Sequence, residues 1–167
     1  MKTKTKKWLR SHKASGLSLV ELIVTVALIL ILTMALAPTA MVSIKRIKEA
    51  ELRQELRHIR DAIDKYHDLA NPGNGGPPLI GPIKYGSDGY PPDLKTLVEG
   101  ASMVNSNKKI KFLRKIPKDP MTNSDEWGLR CYQDEPDSQN WCGENVYDIY
   151  SKSKELSLDK KTSYNQW

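Results

Sequence analysis

Between Leu17 and Val42 the chain carries one ionisable residue, Glu21. At about 1.5 Å per residue, a helix over this run reaches roughly 39 Å, against a bilayer hydrocarbon core of about 30 Å. Residues 17–42 are therefore expected to span a membrane. Lys2, Lys4, Lys6, Lys7, Arg10 and Lys13 precede the run, with no acid among them. That asymmetry keeps the leader on the cytoplasmic side and sends the C-terminal part outward. Lys45, Arg46 and Lys48 oppose it slightly, diluted by Glu49 and Glu51.

The same leader explains the charge. A formal net charge of +6 invites a nucleic-acid reading. Without the six leader bases, the remaining 20 basic residues balance the 20 acidic ones. The excess belongs to the leader, so no nucleic-acid partner is expected. The 167 residues suit one modest domain plus an extra segment, and the single Phe, Phe112, limits the globular core.

An ordinary secretory signal would place a small-residue cleavage site after the apolar run. Ala35-Leu36-Ala37 has that form, but Pro38 would follow the cut directly, and the run is long for a signal peptide. Pro38 lacks a backbone donor and is expected to kink or locally melt the helix. Glu21 is costly in hydrocarbon, which makes it a functional candidate. The plain alternative is a carboxylate that snorkels to the interface or is protonated.

After Val42 the pattern becomes amphipathic. Leu52, Leu56, Ile59, Ile63, Tyr66 and Ala70 are spaced 4, 3, 4, 3, 4, one apolar stripe on a helix. Glu49–Arg53 and Asp61–Lys65 are supportive i, i+4 pairs. Asn71-Pro72-Gly73 ends the helix. The stripe is too short for a sustained coiled coil and is expected to pack on the chain's own C-terminal part. His58 and His67 share no i, i+4 face and are expected to be solvated.

Residues 71–92, rich in Gly and Pro, read as an irregular connection. Asp93 through Val98 reads as a short helix ended by Gly100. Residues 101–111 are polar and expected to be mobile. Trp127–Tyr132 and Val146–Tyr150 read as two short strands. Cys131 and Cys142, two thiols in an exported chain, read as one disulfide, the alternative being two reduced thiols. Closing so short a loop contributes about 2–3 kcal/mol.

Gly16-Leu17-Ser18-Leu19-Val20-Glu21-Leu22 resembles the cleavage box of type IV prepilins and pseudopilins. The resemblance implies cleavage by prepilin peptidase between Gly16 and Leu17, then N-methylation of Leu17, where the family usually has Phe. It pairs Glu21 with the N-terminus of a neighbouring subunit, which sets axial register. Gly89–Val98, Leu113–Pro120 and Val146–Ser151 are similar to segments of the major pseudopilin, the G subunit of type II secretion.

The implied fold is α+β: a long N-terminal α-helix packed on a small antiparallel β-sheet head, pilin-like. Its parts would be a cleaved leader 1–16, a membrane and filament-core helix 17–42, an amphipathic continuation 43–70 and a periplasmic head 71–167. The implied setting is the bacterial inner membrane, single-pass. The implied partners are further copies in a helical filament, prepilin peptidase, other pseudopilins and the assembly platform. The family commonly binds calcium after its last strand, where Asp159, Glu155 and Ser153 are the oxygen candidates among four lysines.

The function implied is a structural subunit whose polymerisation drives protein export. A type IV pilus subunit for adhesion or motility is the nearest alternative. A membrane-anchored periplasmic binding module, or an exported enzyme, is the alternative of another class. Gly-x-Ser-x-Gly, His-Glu-x-x-His, Cys-x-x-Cys and phosphate-loop motifs are all missing, so an enzyme is not expected.

Overall fold

The apolar stripe finds its partner within the chain. The computed structural model describes residues 16, 18–73 and 75–167, without the side chains of 35–39; residues 1–15, Leu17 and Asn74 lie outside the described residues. Helix α1 runs Leu19–Ala70. All six stripe residues, Leu52, Leu56, Ile59, Ile63, Tyr66 and Ala70, are buried, and Ala62 joins them. Full burial of a Leu or Ile side chain contributes about 1.5–3 kcal/mol, so this face holds the second half of α1 on the head. The helix stops where Asn71-Pro72-Gly73 begins, with Asn71 N–H donating to the His67 carbonyl at 2.7 Å.

The chain divides into two compact units, Met1–Met41 and Val42–Trp167. The second is α+β, with the helix packed on small antiparallel sheets. Strands β1 (Ile80–Gly81), β2 (Ala101–Met103) and β3 (Lys109–Ile110) form one sheet, β1 pairing with β2 and β2 with β3. Strands β4 (Gly128–Arg130) and β5 (Asp148–Tyr150) form the other, with Leu129 opposite Ile149.

Helix α2 (Leu94–Glu99) starts as its sequence indicates. Asp93 caps it by accepting from Thr96 N–H at 2.7 Å, and Gly100 ends it at φ 86°. A side chain at Gly100 would also meet the Ile110 carbonyl. Leu97 then joins the two layers, its carbonyl accepting from both Phe112 and Leu113 N–H.

Several expectations change. Residues 101–111 are not a loose polar stretch, because β2 and β3 fold back on each other within them. The 71–92 connection contains β1, which pairs with β2. His67 is half-buried rather than solvated, stacked on Tyr90 with centroids 4.2 Å apart. Neither expected i, i+4 pair is among the ion pairs formed by the described residues. Glu49 and Arg53 turn to the head instead: Arg53 lies over the Trp167 ring at 4.4 Å, and Glu49 binds the C-terminal loop described below.

Candidate functional site

The N-terminal unit presents the resemblance-derived residues in part. Gly16 is exposed, and an added Cβ there would meet nothing within 4 Å. Leu17, the expected first mature residue and methylation site, lies outside the described residues, as does the leader 1–15.

Glu21 sits in the first turn of α1, exposed, where the helix dipole favours a negative charge. Around it the helix exposes apolar side chains without interruption: Leu19, Val20, Leu22, Ile23 and Val24 are all more than half exposed. The polar side chains in this stretch satisfy themselves. Thr25 and Thr33 hydroxyls donate to the Leu22 and Leu30 carbonyls, each at 2.9 Å.

Among the described residues no helix is long and apolar enough to cross a membrane. The exposed apolar residues run from Leu19 to Met34 and resume at Met41. The side chains of 35–39, within the expected span 17–42, lie outside the described residues. Pro38 is among them; its backbone lies within helix α1, Leu19–Ala70, so the expected local melting of the helix does not occur there.

In the head, Cys131 and Cys142 form the expected disulfide, with their Cα atoms 6.0 Å apart. Asp134 accepts from Cys131 N–H at 2.7 Å, which holds the start of the closed loop. A carboxylate beside two cysteines has the makings of a metal cluster. Here each sulfur is spent on the other, leaving no thiolate to ligate.

The expected calcium residues lie in the loop after β5. Ser153 Oγ accepts from Glu155 N–H at 3.4 Å. The Glu155 carbonyl accepts from Tyr164 N–H. Asp159 Oδ1 accepts from Ser157 Oγ and from Lys161 N–H. These contacts, the Ser157 hydroxyl first, hold the Asp159 carboxyl below the usual carboxylate range. A hard cation wants six to eight oxygens. This loop offers a carboxylate already engaged by the chain's own donors, amid Lys152, Lys154, Lys160 and Lys161. Of the three expected residues, Asp159 alone brings a carboxylate to other loop oxygens, through Ser157 Oγ, which also donates to the Thr162 carbonyl at 2.8 Å.

The chain's own charges fasten this loop. Lys45 Nζ donates to the Leu156 carbonyl at 2.7 Å. Glu49 Oε1 accepts from Leu158 N–H at 2.7 Å and from the Tyr164 hydroxyl at 2.9 Å. Burial, then that hydrogen bond to Glu49, pushes the Tyr164 hydroxyl well above the usual tyrosine range. The loop closes on itself through Leu156 opposite Ser163, with Ser157 N–H donating to the Thr162 carbonyl.

One buried carboxylate was missed by sequence reasoning. Asp119 is fully buried, accepting from Met121 N–H, Thr122 Oγ1 and Ser151 Oγ. The signal was available: Lys118-Asp119-Pro120 is a turn sequence with an acid that can cap backbone donors.

Compared with models of known families, curated proteins and solved structures, the chain matches none of them.

Proposed function

We propose that this chain is the structural subunit of a type II secretion pseudopilus, cut after Gly16 and polymerised from the inner membrane with its head in the periplasm. One observation carries the reading. The first part of α1 exposes continuous apolar surface with a single carboxylate, Glu21, in its first turn, whereas the later part is buried against an α+β head. Contiguous apolar surface of that extent requires a cover. Lipid covers it before assembly, and neighbouring helices cover it afterwards.

Cleavage creates an amine at Leu17, four residues from Glu21. A carboxylate in an apolar helix core is stable when it meets an opposite charge. In the filament, the Leu17 amine of the neighbouring subunit supplies that charge and sets the axial register. Growth of the fibre then displaces exported proteins toward an outer-membrane channel. The energy comes from a separate motor, since this chain carries no phosphate-binding loop.

The test is the intact mass and first residue of the protein recovered from membranes. A chain beginning at methylated Leu17 is expected. A chain beginning at Pro38 would mean ordinary secretory processing and would sink the proposal.

A further inference from the structure

Charge is unevenly divided along the head. Residues 100–118 hold Lys108, Lys109, Lys111, Arg114, Lys115 and Lys118, and no acid. Residues 131–148 hold Asp134, Glu135, Asp137, Glu144 and Asp148, and no base. The six bases are exposed, as are Glu135, Asp137 and Glu144.

The acidic stretch is a built surface rather than a solvated run. The Cys131–Cys142 bond closes it. Beside it stand Tyr132, 56% exposed, and Tyr147, 45% exposed, set edge to face at 5.4 Å. Both pack on Tyr90, which stacks in turn on His67 of α1. A cleft of about 500 Å³ opens here, with Tyr132, Asp134, Glu135, Pro136, Tyr147 and Asp148 in its wall. Gln133 Nε2 ties in a further acid, donating to Asp88 Oδ2 at 2.7 Å. Burial first, and then Tyr147, Asp64, Tyr132 and Asp88, push the Tyr90 hydroxyl upward.

Arg130 also lines the cleft, and it pairs there with Asp148, which Arg60 of α1 reaches as well. What faces outward is the Tyr132–Tyr147 pair with Glu135 in the same wall, while Asp137 and Glu144 are exposed elsewhere in the 131–148 stretch. A lysine or arginine side chain is attracted by both parts of such a surface, the ring faces and the carboxylates. The basic stretch is the complement on the same chain. Lys108 and Lys109 stand where the chain turns from β2 into β3, and Lys111 lines a groove with Lys65 and Asp68 of α1.

We propose that the acidic, tyrosine-floored cleft of one copy receives the basic 108–118 segment of a second copy. The inference rests on the filament reading. The two patches are different surfaces of one chain, so the contact is head-to-tail and leaves a free patch at each end. Such a contact propagates into an open array unless its rotation happens to close a ring. Complementary charge of this kind fixes register and speeds encounter. It is also screened by salt, because the Debye length is about 8 Å at 0.15 M.

The test uses full-length protein in detergent micelles, as an equal mixture of unlabelled and uniformly nitrogen-15-labelled copies. A carbodiimide joins a carboxylate to a lysine amine with loss of water, so it records direct acid–lysine contacts. Cross-linked peptides of mixed isotope are expected, joining 131–148 to 108–118 and falling at least five-fold in 0.5 M salt. The triple variant E135K/D137K/E144K and the triple variant K108E/K109E/K111E should each lose the product at least five-fold. Mixing the two variants should restore it, because the reversed patches complement each other. All six substituted side chains are exposed, and the wild-type salt response stands even if a variant fails to fold.

Cross-links confined to one isotope, directed to lysines outside 108–118, or unchanged by reversal and salt would overturn the docking. The first residue of the same preparation separates the two readings. A chain starting at Leu17 without these cross-links removes the docking and keeps the filament. These cross-links from a chain starting elsewhere keep the docking and remove the filament.

Discussion

Arg60, on α1, holds Asp148, at the start of β5, by two prongs: Nε to Oδ1 at 2.7 Å and Nη2 to Oδ2 at 3.3 Å. The same guanidinium donates to the carbonyls of Ile149 and Trp167. Arg130 reaches Asp148 from the neighbouring strand at 3.2 Å, its side chain only 7% exposed. One carboxylate thus joins the helix, β4 and β5.

Because Asp148 serves two arginines, the two truncations should differ. Asp148→Ala leaves Arg130 nearly buried without its anion and should cost about 2–4 kcal/mol. Arg60→Ala leaves Asp148 its second partner and should cost about 1–2 kcal/mol. Thermal unfolding followed by near-ultraviolet circular dichroism gives both values. Equal losses would mean that Arg130 contributes nothing to holding the carboxylate.

Gly128 stands opposite Tyr150 in the β4–β5 pair, and a Cβ there would lie 2.3 Å from the tyrosine ring. Tyr150 is held by its own hydroxyl, which donates to the Gln139 carbonyl at 3.0 Å, and by Arg130 over its face at 4.3 Å. Gly128→Ala should therefore destabilise the head by about 1–3 kcal/mol. Gly128→Ala combined with Tyr150→Leu should lose less than the sum of the single changes, as a double-mutant cycle would record.

The disulfide offers a simple comparison. Reducing Cys131–Cys142, or replacing both residues with serine, should cost about 2–3 kcal/mol and lower Tm by on the order of 10 °C. Melts with and without reductant measure it, and the double serine variant should ignore the reductant.

Tyr164 predicts an alkaline weakness. Its hydroxyl is held neutral in the folded chain above the value it has when unfolded. The stabilisation is therefore fully present below about pH 10 and is lost as pH rises through the folded value. Stability should fall above pH 10 by at most about 1.4 kcal/mol per pH unit from this group. Tyr164→Phe should flatten that part of the profile in pH-dependent melts, leaving what Tyr66 and Tyr90, also pushed upward by burial, contribute.

For Glu21, the proposed function separates processing from assembly. Glu21→Gln should leave cleavage after Gly16 intact while reducing filament yield at least ten-fold, read from sheared fractions and from the mass of the membrane-bound chain. Normal filaments from the Gln variant would remove the charge-pairing role.

The stripe from Leu52 to Ala70 was legible because helical periodicity is a local property, set by which residues fall every three or four positions. Asp93 and Gly100 were legible for a related reason: each acts within three residues of itself. Strands β4 and β5 stood out through Leu129, Tyr132, Ile149 and Tyr150. The β2–β3 pair did not, because strands of two or three residues built from Ser102, Lys109 and their neighbours carry no alternation to detect. Nor did the fates of Glu49, Arg53 and Arg60. They occupy the charged face of the helix, where the local i, i+4 rule pairs Glu49 with Arg53 and says nothing of Arg60. Their actual partners lie about a hundred residues further on and become neighbours only after the head has folded. The fastening of the loop that holds Asp159 was hidden in the same way, since Lys45 and Glu49 bind its backbone from a distant part of the sequence.

The fastening of that last loop by Lys45 and Glu49 has a mechanical meaning. Both residues stand on α1 ahead of Leu52, where the buried stripe begins, and they grip backbone groups of Leu156 and Leu158. A pull on the helix at this level is handed to the far end of the chain before it reaches the hydrophobic contacts that begin at Leu52. The loop behaves as a strut that loads early, so the head resists being peeled from its stalk one helical turn at a time.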